Sequence, residues 1–160
     1  MAIAVGTKAP DFTLKSKTDA GLIDVTLSNN FGKKKTLVLF FPLAFTGVCT
    51  KELCSVRDNI AAYNNVNAKV FGISVDSPQT LARFKEEQHL NFPLLSDFNK
   101  EASIVYGCLY DAFIGWMKGV SKRSAFIIDK EGIIRYAEVL ENAGDLPDFE
   151  KISQTLSSLN

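Results

Sequence analysis

A cysteine at the junction between a strand and a helix is the residue of this sequence best placed to do chemistry. Cys49 follows the apolar run 36–41 and opens a stretch whose apolar residues recur at helical spacing. The first turn of a helix has backbone N–H groups without carbonyl partners and carries the positive end of the helix dipole. Both stabilise a thiolate, which is the reactive form of cysteine. We therefore interpret Cys49 as a nucleophile, with a buried structural cysteine as the alternative.

Three further residues are suited to shape a site around this cysteine. Pro42 has a fixed φ and no N–H, so it would shape the strand exit and shield the thiol, unless it only ends the strand. Thr46 lies three residues before Cys49, and its hydroxyl can donate to a thiolate or a bound oxygen, or cap the helix. Arg123 precedes another apolar strand. Its guanidinium would hold Cys49 ionised if that strand neighbours residues 36–41; otherwise it is a surface arginine.

Strands and helices alternate along the chain. Ser77 and Pro78 are typical of a helix start, with the serine as N-cap. Residues 107–122 show no clean period, and we expect them to be irregular. Strands are predicted at residues 22–27, 36–41, 69–75, 124–129 and 133–140, and helices at residues 49–64, from residue 78, around 99–106 and at 148–159. The order β-α-β-α-β-β-α predicts a thioredoxin fold, an α/β sandwich with a mixed central sheet flanked by helices.

Length and charge narrow the class of protein. The 160 residues suffice for one domain with its own core, and we expect a single domain over residues 1–160. Basic and acidic residues number 18 each, so a net charge of zero points neither to nucleic acid nor to an acidic membrane. No apolar run reaches the roughly 18 residues of a membrane span, and residues 1–6 lack the features of a signal peptide. Three cysteines without disulfide-scaffold density favour a reducing cytoplasm.

Metal and nucleotide chemistry have no motif in this sequence. Cys49, Cys54, Cys108 and His89 match no zinc-ligand spacing, and His89 falls in a polar stretch typical of a surface. No Gly-x-Gly-x-x-Gly or Walker sequence is present. We therefore expect neither a bound metal nor a nucleotide.

Residues 41–49, Phe-Pro-Leu-Ala-Phe-Thr-Gly-Val-Cys, resemble the Pro-x3-Thr-x2-Cys signature of the peroxiredoxins. The amino-acid sequence of this stretch is most similar to that of the AhpE-like subgroup. The resemblance extends over nearly the whole chain and includes residues 6–14, 51–53, 56–58, 92–97, 102–107 and 122–129.

This resemblance implies a thiol peroxidase that needs no cofactor. Cys49 matches the peroxidatic cysteine, whose thiolate attacks a peroxide oxygen and becomes a sulfenic acid. Thr46 and Arg123 match residues that hydrogen-bond the peroxide, and Glu52 matches a position that orients the arginine. The site must be small and dry, and its expected walls are Phe41, Pro42 and Phe45.

How the sulfenic acid is resolved stays open at the level of sequence. Cys54 lies five residues after Cys49, as in the PrxQ-like subgroup, where the second cysteine forms a disulfide with the first. In a helix these Cα atoms are roughly 8.7 Å apart, whereas a disulfide needs less than about 7 Å, so the helix would have to unwind. Cys108 is a second candidate, and Cys54 is otherwise a small buried residue. If neither resolves, the partner is an external thiol: thioredoxin, a glutaredoxin-type protein or a low-molecular-weight thiol.

The same cysteines also allow two other functions, and one apolar segment is a candidate interface. A thioredoxin-like thiol–disulfide oxidoreductase would require Cys-x-x-Cys, but four residues separate Cys49 from Cys54. A non-enzymatic redox sensor would use the same cysteines. The segment 110–117 is rich in aromatic, aliphatic and methionine side chains, which are favoured at interfaces, so it either packs in the core or forms a homodimer contact.

Overall fold

The computed structural model describes residues 3–159; Met1 and Ala2, which belong to the segment considered for a signal peptide, lie outside the described residues. The strands are β1 (Thr13–Thr18), β2 (Gly21–Thr26), β3 (Lys35–Phe40), β4 (Ala68–Ser74), β5 (Leu94–Ser96), β6 (Ser124–Ile128) and β7 (Ile134–Val139). The helices are α1 (Gly47–Asp58), α2 (Ile60–Asn65), α3 (Pro78–Glu87), α4 (Glu101–Val105) and α5 (Phe149–Ser158).

All seven strands form one mixed sheet in the order β2-β1-β5-β4-β3-β6-β7. Strands β3, β4 and β5 are parallel, and β6 runs antiparallel to β3. The parallel pairs are joined by crossover helices, and β6 and β7 form the expected hairpin. The architecture is therefore the α/β sandwich with a mixed central sheet that the sequence predicts.

Two strands and one helix break differ from the prediction. Strands β1 and β5 were not predicted: β1 is almost entirely polar, and β5 is only 3 residues long. The predicted helix over residues 49–64 is divided at Asn59, whose side chain donates to the carbonyl of Ser55 at 2.9 Å. Such a local side-chain bond competes with the helical backbone bonds and ends α1.

The central strand β3 sends side chains into two separate hydrophobic clusters. Leu37 and Leu39 lie in the cluster that contains Cys49, whereas Val38 and Phe40 lie in the cluster that contains Cys108. Alternate residues of a strand point to opposite faces of its sheet. The sheet therefore separates the two cysteines.

Among residues 3–159, no helix is long and apolar enough to cross a membrane.

Candidate active site

The first turn of α1 carries Cys49. Thr46 is the N-cap residue, and the first helical backbone bond runs from the N–H of Thr50 to the carbonyl of Thr46 at 2.9 Å. The N–H groups of Gly47, Val48 and Cys49 precede this bond and have no carbonyl partner within the helix. Cys49 is only 1% exposed. The thiol is thus both buried and next to the positive end of α1.

Sheet pairing brings Arg123 to this thiol. Phe40 at the end of β3 pairs with Ser124 at the start of β6, so Arg123 lies beside the chain as it leaves β3. Its Nη2 is 3.4 Å from the Sγ of Cys49, and the side chain is 1% exposed. The surface-arginine alternative is therefore wrong. The guanidinium thus brings a buried positive charge into contact with the sulfur.

A second partner fixes the guanidinium from the other side. Nη1 of Arg123 donates to Oε1 of Glu52 at 2.7 Å, and both side chains are buried. Glu52 is three residues after Cys49 in α1, so the two side chains share a helix face. Burial raises the pKa of Glu52 to about 7, although Arg123 acts in the opposite direction. Oε2 of Glu52 and Nε of Arg123 have no hydrogen-bond partner. The bond from Nη1 to Oε1 is therefore the one hydrogen bond between the two side chains.

A backbone carbonyl supplies the third contact of Arg123. Nη2 also donates to the carbonyl oxygen of Ala143 at 2.9 Å, in the loop after β7. Burial lowers the pKa of Arg123, but Glu52 and Cys49 more than offset this, and the pKa lies above its usual value. Sequence reasoning missed Ala143 because a main-chain acceptor has no side-chain signal.

Thr46 lines the pocket, and its hydroxyl proton is already donated in a hydrogen bond within the chain. Its Oγ1 donates to the carbonyl of Leu43 at 2.7 Å and makes no side-chain cap bond to α1. The expectation that this hydroxyl donates to the thiolate or to a bound oxygen is therefore not met in this structure. Its lone pairs stay free, so the hydroxyl is oriented to accept a hydrogen bond.

A pocket of about 250 Å³ opens onto these groups, and its walls are largely apolar. The lining residues are Pro42, Leu43, Thr46, Gly47, Val48, Cys49, Phe113, Arg123, Ala143 and Gly144. Phe41 and Phe45 are not among them, which corrects the expected walls. Phe41 is buried in the core, and Phe45 packs against Phe84 with ring centroids 5.1 Å apart. Phe113, from the irregular segment, takes their place.

The other two cysteines lie in different environments. All three thiols are free. Cys54 is half-buried in α1, and its thiol donates to Oε1 of Gln88 at 3.6 Å. Cys108 is fully buried on the opposite face of the sheet, and burial raises its pKa to about 12. A thiol that is both protonated and shielded by the sheet is unsuited to attack Cys49, which argues against Cys108 as the resolving residue.

Within the part of the chain that the structure describes, no group of three or more histidine, cysteine or acidic side chains is placed to hold a metal ion.

A buried thiol at a helix N-terminus, held by an arginine at the edge of a mixed sheet, defines a thiol-dependent redox enzyme. Residues 5–137 match the AhpC/TSA family, and the chain belongs to this family. It is therefore a peroxiredoxin with a thioredoxin fold, a thiol-dependent peroxidase.

Known peroxiredoxins are similar to this chain in sequence and in structure over almost its entire length. The sequence is 36% identical over 157 residues to alkyl hydroperoxide reductase E of Mycobacterium tuberculosis, covering 97% of both chains. The fold is similar to that of the reduced 2-Cys peroxiredoxin of Plasmodium vivax, with a TM-score of 0.86, 30% identity and coverage of 96% of this chain and 80% of the other. Peroxidoxin BcpB of Mycobacterium tuberculosis matches with a TM-score of 0.83, 29% identity and coverage of 98% and 97%.

Proposed function

We propose that this protein reduces hydrogen peroxide and organic hydroperoxides through a sulfenic acid at Cys49. The observation that carries the proposal is the 3.4 Å contact between Nη2 of Arg123 and Sγ of Cys49. This contact lies in the first turn of a helix, at a small pocket with apolar walls. Such surroundings favour a thiolate and exclude bulk water from the reacting atoms.

The reaction is a displacement on oxygen. The Cys49 thiolate attacks the hydroxyl-bearing oxygen of the peroxide; an S–O bond forms, the O–O bond breaks, and the electron pair leaves with the distal oxygen. That oxygen takes up a proton and departs as water or an alcohol, while Cys49 becomes a sulfenic acid. Negative charge moves from sulfur to the leaving oxygen, so fixed donors there accelerate the step.

Each polar group of the pocket has a part in this scheme. Arg123 and the free N–H groups of the first turn of α1 stabilise the moving charge, as in other preorganised anion sites. Thr46 accepts a hydrogen bond from the peroxide O–H, because its own proton goes to Leu43. Glu52 orients the guanidinium through the 2.7 Å bond at Nη1. Pro42, without an N–H of its own, contributes to the dry wall.

The apolar walls support organic hydroperoxides as substrates in addition to hydrogen peroxide. A pocket of about 250 Å³ has room for a substituent larger than hydrogen on the leaving oxygen. Alkyl hydroperoxide reductase E, by its name, acts on alkyl hydroperoxides, and the side chains of Leu43, Val48 and Phe113 would contact such a group.

Turnover then requires a second thiol. Cys54 is the candidate within the chain, and it resolves the sulfenic acid only if the first turn of α1 opens. Otherwise an external thiol attacks Cys49 directly. The reductant in either case is thioredoxin, a glutaredoxin-type protein or a low-molecular-weight thiol, and the electron balance needs no metal or organic cofactor.

The reacting sulfur is tested by adding one equivalent of hydrogen peroxide to the reduced protein. We expect stopped-flow measurements to show rapid peroxide loss, and mass spectrometry to place the new oxygen or disulfide on Cys49. Cys49→Ser should abolish the reaction while circular dichroism stays unchanged. Cys54→Ser is the matched control and should keep the first turnover at the wild-type rate. Rapid peroxide consumption by Cys49→Ser would contradict the proposal.

We also propose that the apolar segment 110–117 forms a contact between two copies of this chain. Ile114 and Trp116 are 67% and 69% exposed, so they do not pack in the core of the single chain. Phe113, the neighbour of Ile114 in the same segment, lines the pocket together with Cys49. A partner covering this segment would lie at the rim of the active site.

A further inference from the structure

A carboxylate outside the pocket holds the loop that carries several pocket residues. Asp76 follows β4, and its Oδ2 accepts hydrogen bonds from the backbone N–H of Ala44 at 2.8 Å and from the hydroxyl of Ser74 at 2.6 Å. Its own carbonyl accepts a bond from the hydroxyl of Ser96 in β5 at 2.6 Å. Asp76 is thus tied to β4 through its carboxylate and to β5 through its backbone carbonyl, and its carboxylate also bonds the chain that follows β3.

Ala44 lies in the middle of a strained connection between β3 and α1. Its neighbour Phe45 has a φ of +65°, in the left-handed region that costs energy for a side chain of this size. The bond from Thr46 to Leu43 is internal to the same connection and does not join it to the sheet. The bond from Ala44 to Asp76 does join it to the sheet, and so helps to hold the strained conformation.

The position of this connection decides the alignment of the reacting groups. Pro42, Leu43 and Thr46 all belong to it and line the pocket, and Gly47 begins α1 directly after it. A displacement of about 1 Å in such groups can cost roughly a hundredfold in rate. We propose that Asp76 is a positioning residue for peroxide reduction, which places the hydroxyl of Thr46 against the substrate. This inference rests on the proposed role of Cys49.

Asp76 acts through its acceptor oxygen and not through its charge. A negative charge near a thiolate raises the pKa of the thiol, so charge alone would slow the enzyme. The side-chain oxygen of asparagine accepts the same bonds from Ala44 and Ser74, whereas alanine accepts none. The comparison of Asp76→Asn with Asp76→Ala therefore separates the hydrogen bond from the charge.

The experiment measures the rate constant for oxidation of Cys49 by hydrogen peroxide in stopped flow. We expect Asp76→Ala to lower it about 10- to 100-fold, and Asp76→Asn to stay within about threefold of wild type. Asp19→Ala, in the exposed turn between β1 and β2, is the matched control and should react as wild type. Ser74→Ala removes one of the two hydrogen bonds to Oδ2 and should give an intermediate rate. This variant replaces Asp76→Ala in the test if Asp76→Ala does not fold.

Alkylation of Cys49 by iodoacetamide distinguishes positioning from general loosening. This reaction needs the thiolate but not the groups that surround the peroxide. We expect it to change less than threefold in Asp76→Ala, whereas a loosened core would expose Cys49 and accelerate it. Wild-type peroxide kinetics in Asp76→Ala, equal losses in Asp76→Asn and Asp76→Ala, or faster alkylation would each overturn the inference. Cys49→Ser is run in parallel: peroxide consumption by that variant would defeat the proposed function, not the role of Asp76 alone.

Discussion

At the scale of single residues, Arg123 links the groups of the pocket. Its guanidinium contacts Sγ of Cys49, Oε1 of Glu52 and the carbonyl of Ala143. A planar group with five fixed N–H donors can hold three acceptors in defined directions, which lysine cannot. The positive charge beside the sulfur is therefore held in place by the other two partners of the guanidinium.

Thr46 offers the sharpest test of how the peroxide is bound. Because its proton goes to Leu43, Thr46→Val removes an acceptor for the substrate, and we expect the rate constant for Cys49 oxidation to fall about tenfold or more, as for loss of about 1.4 kcal/mol or more of hydrogen bonding. Thr46→Ser keeps the hydroxyl and should stay within about threefold. Stopped-flow oxidation by hydrogen peroxide measures both. Wild-type kinetics in Thr46→Val would show that the hydroxyl oxygen is not needed and would contradict this role.

The buried carboxyl of Glu52 should leave a signature in the pH dependence of stability. Burial raises its pKa from 4.5 to about 7, so between these values the folded protein holds a proton that the unfolded chain has released. The stability contributed by the protonated form is present below about pH 4.5 and is lost as the pH rises to about 7. The stability of the protein with Glu52, relative to that of Glu52→Gln, should therefore fall across this range.

Urea unfolding at about pH 5 and about pH 7.5 measures this difference. Both proteins should carry Cys49→Ser, which removes the neighbouring thiol from the titration. A free energy of unfolding that rises with pH relative to the Glu52→Gln protein would contradict the expected sign.

Much of the site was predictable at this scale, and the exceptions share a cause. Cys49 and Arg123 were identifiable because chemistry-bearing side chains stand at informative positions along the chain, and Glu52 was identifiable through the resemblance to the peroxiredoxins. The carbonyl of Ala143 and the bond from Asp76 to Ala44 were not, because main-chain contacts depend on how distant loops meet. The donor role expected for Thr46 failed for the same reason, since its proton goes to a backbone oxygen.

At the scale of elements, the conformation of helix α1 decides whether Cys54 can reach Cys49. Cys49 and Cys54 both lie within Gly47–Asp58, and a regular helix keeps their Cα atoms roughly 8.7 Å apart. A disulfide between them requires less than about 7 Å. The first turn must therefore open before the two sulfurs can bond.

If the first turn of α1 opens and lets Cys54 react, we expect the sulfenic acid at Cys49 to have a short lifetime. After one equivalent of peroxide, the wild type should lose its sulfenic acid faster than Cys54→Ser does, and peptide mapping should find a bond between Cys49 and Cys54. A dilute denaturant that frays α1 should accelerate bond formation. An intact sulfenic acid beside a free Cys54 thiol in the wild type would instead show that an external thiol completes the cycle.

The elements themselves were predictable wherever burial marks the sequence. Strands β3, β4 and β6 are buried along almost their whole length and read as apolar runs. Strand β1 was not recognised because its buried positions include Ser16, whose hydroxyl donates to the carbonyl of Leu94 at 2.8 Å. A buried polar residue that is satisfied across the sheet has the sequence pattern of an exposed one.

At the scale of the whole molecule, the apolar segment 110–117 predicts self-association. Trp116→Lys places a charge on the most exposed large side chain of this segment, so it should weaken a dimer whose contact includes Trp116. We expect sedimentation velocity to show a concentration-dependent dimer for the wild type and a monomer for the variant. Lys118→Ala is a matched surface control. A monomer at all concentrations of the wild type would contradict the proposed contact.

The sheet also protects one thiol of the protein, Cys108, from the oxidation that inactivates the pocket. Cys108 is enclosed on the far side of the sheet from the pocket, and its protonated thiol is a poor target for oxidants. In a preparation inactivated by excess peroxide, the Cys108 sulfhydryl should consequently survive, and a thiol-reactive dye should detect it only after denaturation. The thiol count obtained without denaturant, divided by the constant Cys108 count, would fall as enzyme is spent and so would report the damage in a sample.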